Sequence, residues 1–134
     1  MELVLRRFLS GKSRKIKLRS LPAPEYQELK ALKCCIWYNR YGGYCLPESS
    51  LHRSAARRVL NADVHEPDTI SYIREHCGDG DIVHAGTYFG DFLPGLASGC
   101  ADGALIWAFE PNTENYRCAQ ITTLINDLDN VRLH

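Results

Sequence analysis

The sequence predicts an α/β fold in which about three parallel strands alternate with helices. Two short apolar runs, 82–85 and 104–109, are separated by a glycine-containing loop and a segment rich in small residues, which is the pattern of a strand, a loop, a helix and a second strand. A third apolar run, 131–133, follows a stretch with helical periodicity. Right-handed crossovers would place these strands side by side in the order three-two-one, as in a truncated Rossmann-like sheet with flanking helices.

Charge divides the chain into two parts. Residues 1–58 contain 13 Lys and Arg against 4 Asp and Glu, whereas residues 59–134 contain 3 against 12. We expect 1–58 to be a basic, mostly helical segment that covers the α/β part, and 59–134 to be the α/β part itself. Opposite charges favour attraction between the two parts, or the first serves an anionic partner. The strongly basic residues 1–20 can make weak contact with an anionic surface, although a solvated lead-in is the simpler interpretation.

Within the first part, apolar residues at helical spacing predict a helix over 25–37. The following residues, 38–47, are rich in Tyr and Gly and are typical of turns, and 49–60 is compatible with a short helix. The aromatic residues of this region either cap the edge of a core or stack on a flat ligand. They are Trp37, Tyr38, Tyr41 and Tyr44.

The second part has clearer element boundaries. Pro67 suits the first turn of a helix and Gly78 ends it. The run 82–85 is apolar on both faces, as expected of a central parallel strand. A helix is predicted from Asp91. Its residues have low helix propensity, and the small ones permit close packing on the sheet. Asn112 or Thr113 caps the next helix, which ends near residue 126.

The loop after the first strand is the candidate site. Glycines at Gly86 and Gly90 let backbone approach a ligand where a Cβ would collide, and the following helix directs free N–H groups there. Glu110 ends the second strand, where a carboxylate can accept hydrogen bonds from ribose hydroxyls. Tyr88 stands where the dinucleotide fingerprint has its middle glycine. The loop therefore disfavours a pyrophosphate and is compatible with a cofactor without phosphates, such as S-adenosylmethionine.

These residues resemble a known family. Residues 66–134 look like the first half of an FkbM-type S-adenosylmethionine-dependent methyltransferase, and the most specific match is the run 109–112, Phe-Glu-Pro-Asn, followed by a helix and by Asn130-Val131. One position departs from the family pattern. The family usually has Asp two residues before the first loop glycine, near the methionine part of the cofactor, and this chain has His84.

The resemblance implies that S-adenosylmethionine is the cofactor, and that a methyl group passes to a hydroxyl of a small-molecule or glycan acceptor, such as a sugar or secondary metabolite. Glu110 would bind ribose, the loop would wrap methionine and ribose through backbone atoms, and Asn112 would lie near adenine. Glu66 and Asp91 are expected to be charges at helix N-termini rather than ligands. The predicted cofactor-binding residues are His84, Gly86, Thr87, Tyr88, Phe89, Gly90, Glu110, Pro111 and Asn112. No catalytic base, metal ligand or nucleic-acid partner is predicted.

The resemblance reaches only three of the seven strands that the family sheet contains. We therefore expect this chain to be a fragment that needs a missing C-terminal half and is inactive alone. Two other hypotheses remain open: an NAD-type nucleotide-binding domain, and a non-catalytic interaction module that uses the basic first part.

The six cysteines form no C-x-x-C pair, which favours reduced thiols in a cytoplasmic protein. A metal site at Cys34, Cys35 and Cys45 is the alternative, but it lacks a suitably placed fourth ligand. No apolar run approaches the roughly 18 residues that span a bilayer.

Overall fold

The structure, a computed structural model, describes residues 31–134. The predicted basic arm over 1–20 and the first residues of the helix predicted over 25–37 lie outside this range. Residues 32–134 belong to a single unit. Its elements in chain order are β1 (Cys34–Asn39), β2 (Gly42–Pro47), a 3-10 turn (Glu48–Ser50), α1 (Ser54–Leu60), α2 (Pro67–His76), β3 (Ile82–Ala85), α3 (Leu93–Ala97), β4 (Ile106–Phe109), α4 (Thr113–Ile125) and β5 (Val131–Leu133).

The first two strands correct the expectation of a helical and turn-like first part. β1 and β2 pair as an antiparallel hairpin, with Ile36 opposite Cys45 and Asn39 opposite Gly42. The run Cys-Cys-Ile-Trp-Tyr in β1 has high strand propensity, and pairing with β2 outweighs its helical spacing. The side chain of Asn39 accepts a hydrogen bond from Tyr41 N at 2.8 Å, which closes the turn locally. The helix predicted over 25–37 is therefore wrong at residues 34–37, and 42–47 is a strand.

β2 lies along α4 in a regular ladder of hydrogen bonds. Asn126 Oδ1 accepts from Gly43 N at 2.8 Å, Asn126 Nδ2 donates to Gly43 O at 2.6 Å, and Thr122 Oγ1 accepts from Cys45 N at 3.0 Å. Two strand residues span about 6.7 Å and four helix residues about 6 Å, so the two elements stay in register over successive steps. The hairpin is thereby fixed to the α/β part.

β3, β4 and β5 form a parallel sheet with β4 in the middle. Val83 lies opposite Trp107, which in turn lies opposite Arg132. The strands predicted at 82–85 and 131–133 are confirmed, and the middle strand begins at Ile106 rather than at residue 104. The α/β class and the three-stranded parallel sheet with flanking helices are thus present, and they are compatible with a Rossmann-like fold.

One face of the sheet is covered by the short helix α3, and Ile82, Ile106 and Leu96 are buried in the core there. A Cβ on Gly95 of α3 would lie 3.1 Å from Ile70 Cγ2 and 3.3 Å from Tyr41 Cδ2. The small residue therefore permits the close packing that the sequence predicts, although α3 is shorter than expected.

The opposite face of the sheet is open, which corrects the prediction that β3 is buried on both faces. Val83 is 70% exposed and Phe109 is 41% exposed. β3 is an edge strand, because β4 is its one neighbour among the described strands. On this face the ring of His134 stacks on Phe109 at a centroid distance of 5.2 Å, and Trp107 Nε1 donates to Asp81 Oδ2 at 2.8 Å.

Alternation along β1 separates the three cysteines considered as a metal site, Cys34, Cys35 and Cys45. Cys34 lies on the hairpin face that also holds Cys45, whereas Cys35 points to the other face. Residues 31–134 contain no group of three His, Cys, Asp or Glu side chains that could hold a metal ion, and all six cysteines are free thiols. Among the same residues no helix is long and apolar enough to cross a membrane.

Candidate cofactor site

The candidate site lies at the carboxyl end of β3 and β4, where the loop 86–90 leaves the sheet. Gly86 N and Thr87 N both donate to Phe109 O, at 2.8 and 2.9 Å, so the loop remains attached to the end of β4. Gly90 N then donates to Thr87 O at 2.8 Å and closes the turn. These bonds bring the loop and the residue after β4, Glu110, next to each other.

The two glycines of the loop have different roles. Both have positive φ, 78° at Gly86 and 82° at Gly90, which residues with a Cβ rarely adopt. A Cβ on Gly86 would meet nothing within 4 Å, whereas one on Gly90 would lie 3.2 Å from Leu93 Cδ1 and Thr122 Cγ2. Gly90 is therefore needed for packing against α4, and Gly86 borders open space that a ligand can approach.

Glu110 is the centre of the site. Its Oε2 accepts from Tyr88 N at 2.7 Å and its Oε1 accepts from Asn112 N at 2.9 Å, so the half-buried carboxylate joins the glycine loop to the start of α4. The expected N-cap is confirmed, because Asn112 Oδ1 accepts from Asn115 N at 3.0 Å. Pro111 lies between them and is exposed.

Tyr88, the bulky residue of the loop, has a left-handed backbone with φ of 55°. Its side chain packs with Phe89 against the cluster that contains Tyr44 of the hairpin. The side chain is thus held by the hairpin cluster, and its backbone N–H is the group that reaches Glu110. The hydroxyl groups of Tyr88 and Tyr44 are buried and have no hydrogen-bond partner within residues 31–134.

His84 lies on β3 beneath the loop. Its Nδ1 is 3.0 Å from Thr87 Oγ1, and its ring stacks on Phe92 at a centroid distance of 5.2 Å. Burial lowers the pKa of His84 below its usual value, because an imidazolium would lose its hydration there. The imidazole is therefore neutral at pH 7, in contrast to the carboxylate that the FkbM pattern has at this position.

Three carboxyl groups surround the loop. Asp91 is buried, and this burial raises its pKa to about 7, while hydrogen bonds from Phe92 N and from its own N–H act in the opposite direction. The negative charges of Glu66 and Glu110 raise it further. Glu66 occupies the N-cap position of α2, as expected, but its side chain makes no cap bond and instead accepts from Thr69 Oγ1 at 3.2 Å. With a pKa of about 7, Asp91 is only partly ionised at neutral pH, so the negative charge beside the loop comes mainly from Glu66 and Glu110.

The structure brings most of the predicted site residues together around Glu110 and the loop. Phe89 and Thr87 are fully buried, so they form the inner side of the loop and present no surface to a ligand in this structure. Sequence reasoning named Tyr44 as a residue at a core edge or on a flat ligand but missed its place in a hairpin; its ring is buried and packs edge-on against Phe89 with centroids 6.4 Å apart. The turn residues Asn39 and Gly42, which stand between two runs rich in apolar and aromatic residues, are the signal that could have revealed the hairpin.

Fold and site together define an α/β protein with a three-stranded parallel sheet, and with a carboxylate at the end of its middle strand that contacts the glycine loop. No family model matches the chain, and no curated protein matches it. Membership of the FkbM family therefore stays a prediction. The solved structures include a match titled "Crystal Structure of EvdMO1", with 25% sequence identity and a TM-score of 0.44. The match covers 50% of this chain and 16% of that one, so this chain spans about one sixth of the neighbour's length.

Proposed function

We propose that this chain is the cofactor-binding half of an S-adenosylmethionine-dependent methyltransferase of the FkbM type. The observation that supports this function is the position of Glu110, whose two oxygens accept one backbone hydrogen bond each, from Tyr88 and Asn112. A carboxylate oxygen has two lone pairs, so each oxygen can accept a further bond. The 2′- and 3′-hydroxyls of a ribose are the pair of donors that fit this arrangement.

Charge favours S-adenosylmethionine over a dinucleotide. The carboxylates of Glu66 and Glu110 both act on Asp91 beside the loop, and their negative potential repels the pyrophosphate of NAD. S-adenosylmethionine has a sulfonium and an ammonium against one carboxylate, so its net charge is positive. The same potential attracts it.

The other residues have roles that follow from their exposure. Gly86 is exposed and lets the ligand approach the loop, whereas Thr87, Phe89 and Gly90 are buried and would hold the loop in shape around it. Pro111 and Asn112 are exposed beside Glu110, where adenine would lie. We assign His84 to the methionine end, where its neutral ring can exchange a hydrogen bond but adds no charge.

The bound cofactor would supply the methyl group from its sulfonium. The acceptor would be a hydroxyl of a sugar or secondary metabolite, and the residues described above would align cofactor and acceptor for in-line displacement. We place the acceptor pocket and the base in a complementary half of the domain. Two observations support this: one edge of β3 pairs with none of the described strands, and Val83 and Phe109 are exposed. An apolar sheet edge and face favour burial by further strands and helices.

Two other functions make different predictions. An NAD-type domain requires a pyrophosphate at the loop, which the carboxylates of Glu66 and Glu110 disfavour, and the backbone N–H of Tyr88 is already bonded to Glu110. A non-catalytic module would act through the basic residues 1–20, and its binding to anionic vesicles would weaken steeply with added salt.

Calorimetric titration of the chain with S-adenosylhomocysteine and with NAD tests the proposal. We expect one-site binding of S-adenosylhomocysteine and no measurable heat with NAD. Equal affinity for both would favour the nucleotide domain. Binding of neither, together with salt-sensitive binding to anionic vesicles, would favour the interaction module.

A further inference from the structure

Three cysteine thiols lie in a row that leads from the surface into the core between the hairpin and α4. Cys34 is exposed, whereas Cys45 and Cys118 are completely buried in the same apolar cluster. Because Cys45 pairs with Ile36, and Cys34 lies two residues before Ile36, both cysteines are on the same face of the hairpin. Burial and then Cys45 raise the pKa of the Cys34 thiol, and Cys118 raises that of the Cys45 thiol, as expected of neighbouring thiols.

Helix α4 fixes the innermost thiol. Cys118 precedes Thr122 by one helical turn, so both side chains lie on one face of α4. Thr122 Oγ1 accepts from Cys45 N at 3.0 Å. This bond holds the backbone of Cys45 against the face of α4 from which Cys118 projects.

We propose that Cys45 and Cys118 form a reversible disulfide that fastens the hairpin to α4, and that Cys34 is the thiol at which an external low-molecular-weight disulfide first reacts. The pair Cys34 and Cys45 is a poorer candidate for the final bond. Diagonal neighbours on paired strands have Cα atoms about 7–8 Å apart, whereas a disulfide requires at most about 6.8 Å. Cys118 belongs to a helix and is not subject to this spacing.

The reaction proceeds by thiol–disulfide exchange. Cys34 attacks the external disulfide RSSR, forms a mixed disulfide and releases one RSH. Cys45 then attacks the RS sulfur of this mixed disulfide, the bond between Cys34 and RS breaks, and Cys34 leaves as a thiol. Finally Cys118 attacks the sulfur of Cys45, forms the disulfide with it and releases the second RSH. In the net reaction two protein thiols are oxidised to one disulfide while RSSR is reduced to two RSH.

The exchange is slow at neutral pH, because thiolates are scarce. Partial burial, and then contact with Cys45, raise the pKa of Cys34 to about 11, while Arg117 on α4 favours its thiolate. The neighbouring thiol of Cys118, and then burial, raise the pKa of Cys45. Below these values each unit of pH raises the thiolate fraction about tenfold, so the rate should rise steeply between pH 7 and pH 9.

Incubation of the full chain with glutathione disulfide at pH 8.5, followed by alkylation and peptide mass mapping, tests the proposal. We expect a peptide pair linked through Cys45 and Cys118, and a midpoint of thermal unfolding raised by about 5 °C or more. Cys118→Ala should abolish both changes. Cys34→Ser should slow the reaction at least severalfold and leave the final linkage unchanged.

Cys100→Ala is the matched control, because Cys100 lies outside the row of three thiols. This variant should behave like the wild type. The proposal is overturned if Cys45 and Cys118 are both alkylated as free thiols after incubation, or if Cys34 and Cys45 form the stable pair. It is also overturned if Cys34→Ser reacts at the wild-type rate. If Cys118→Ala does not fold, peptide mapping of the wild type still decides the linkage.

Discussion

The carboxylate of Glu110 accepts a hydrogen bond of 2.7 Å from the backbone N–H of Tyr88, although 22 residues separate the two in sequence. Tyr88 has a left-handed backbone, with φ of 55°. This conformation costs a residue with a Cβ roughly 1–2 kcal/mol, and a charge-assisted hydrogen bond of about 1.5–3 kcal/mol offsets that cost. The same bond holds the ends of β3 and β4 together, so the shape of the loop depends on the residue that we assign to ribose binding.

The first prediction concerns Glu66 and the charge of the ligand. S-adenosylmethionine has a cationic sulfonium, whereas S-adenosylhomocysteine has a neutral thioether. Glu66→Gln should weaken binding of S-adenosylmethionine up to about fivefold, as expected of a partly exposed charge. Binding of S-adenosylhomocysteine should stay almost unchanged. Calorimetric titration with both ligands measures the difference. The exposed Glu75→Gln is the control, and an equal loss for both ligands would argue against an electrostatic role of Glu66.

Gly86→Ala tests the open space above the loop. The positive φ of 78° should make this change destabilising by about 1 kcal/mol, but a Cβ would clash with no protein atom. We therefore expect a small loss of stability in urea unfolding together with a large loss of affinity for S-adenosylhomocysteine. Gly90→Ala should show a larger loss of stability, because its Cβ would crowd Leu93 and Thr122. Undiminished affinity in Gly86→Ala would place the ligand elsewhere.

Asp91 makes stability depend on pH. Burial raises its pKa to about 7 from the ordinary value of 3.8, so the folded chain retains a proton that the unfolded chain loses between pH 4 and pH 7. The free energy of unfolding should therefore fall as pH rises through this window, by on the order of 2–4 kcal/mol from this group. Asp91→Asn should remove most of that fall. Urea unfolding at pH 5 and pH 8 measures it, with exposed Asp102→Asn as control; a pH dependence unchanged in Asp91→Asn would contradict the assignment.

Asn126→Ala tests the ladder between β2 and α4. The side-chain amide of Asn126 accepts a hydrogen bond from Gly43 N and donates one to Gly43 O. Truncation should therefore leave two partly buried backbone groups unpaired and cost about 2–3 kcal/mol of unfolding free energy. Thr123→Ala on the same helix should cost less, because its hydroxyl bonds only to Ala119 O within α4. Urea unfolding compares the two variants. Equal losses would mean that the ladder adds nothing to stability.

The sequence predicts the α/β part well, because strong local signals agree there with the tertiary structure. Pro67 starts α2, Asn112 caps α4, and the run 82–85 is short, apolar and flanked by glycines. Secondary-structure propensity and hydrophobic periodicity predict the same element at these places. The close approach of Glu110 to the glycine loop follows from the rule that parallel strands end at one edge.

The hairpin could not be predicted in the same way. The residues around Ile36 satisfy both a helical spacing and a strand composition, and the long-range pairing with β2 decides between them. Asn126 and Gly43 are 83 residues apart, so no local pattern shows that they meet. The exposure of Val83 is likewise a property of the whole sheet, and the apolar sequence of β3 indicates the opposite.

The affinity of Glu110→Gln for S-adenosylhomocysteine, measured by calorimetry beside the wild type and Asp102→Asn, tests the central claim most directly. Asp102 is an exposed acid in the turn before β4, at the edge of the sheet opposite the site, and has no part in it. We predict that Glu110→Gln lowers the affinity by about 1–3 kcal/mol, or roughly 5- to 150-fold, while Asp102→Asn binds like the wild type. Wild-type affinity in a folded Glu110→Gln variant would contradict the assignment of this carboxylate to the ribose.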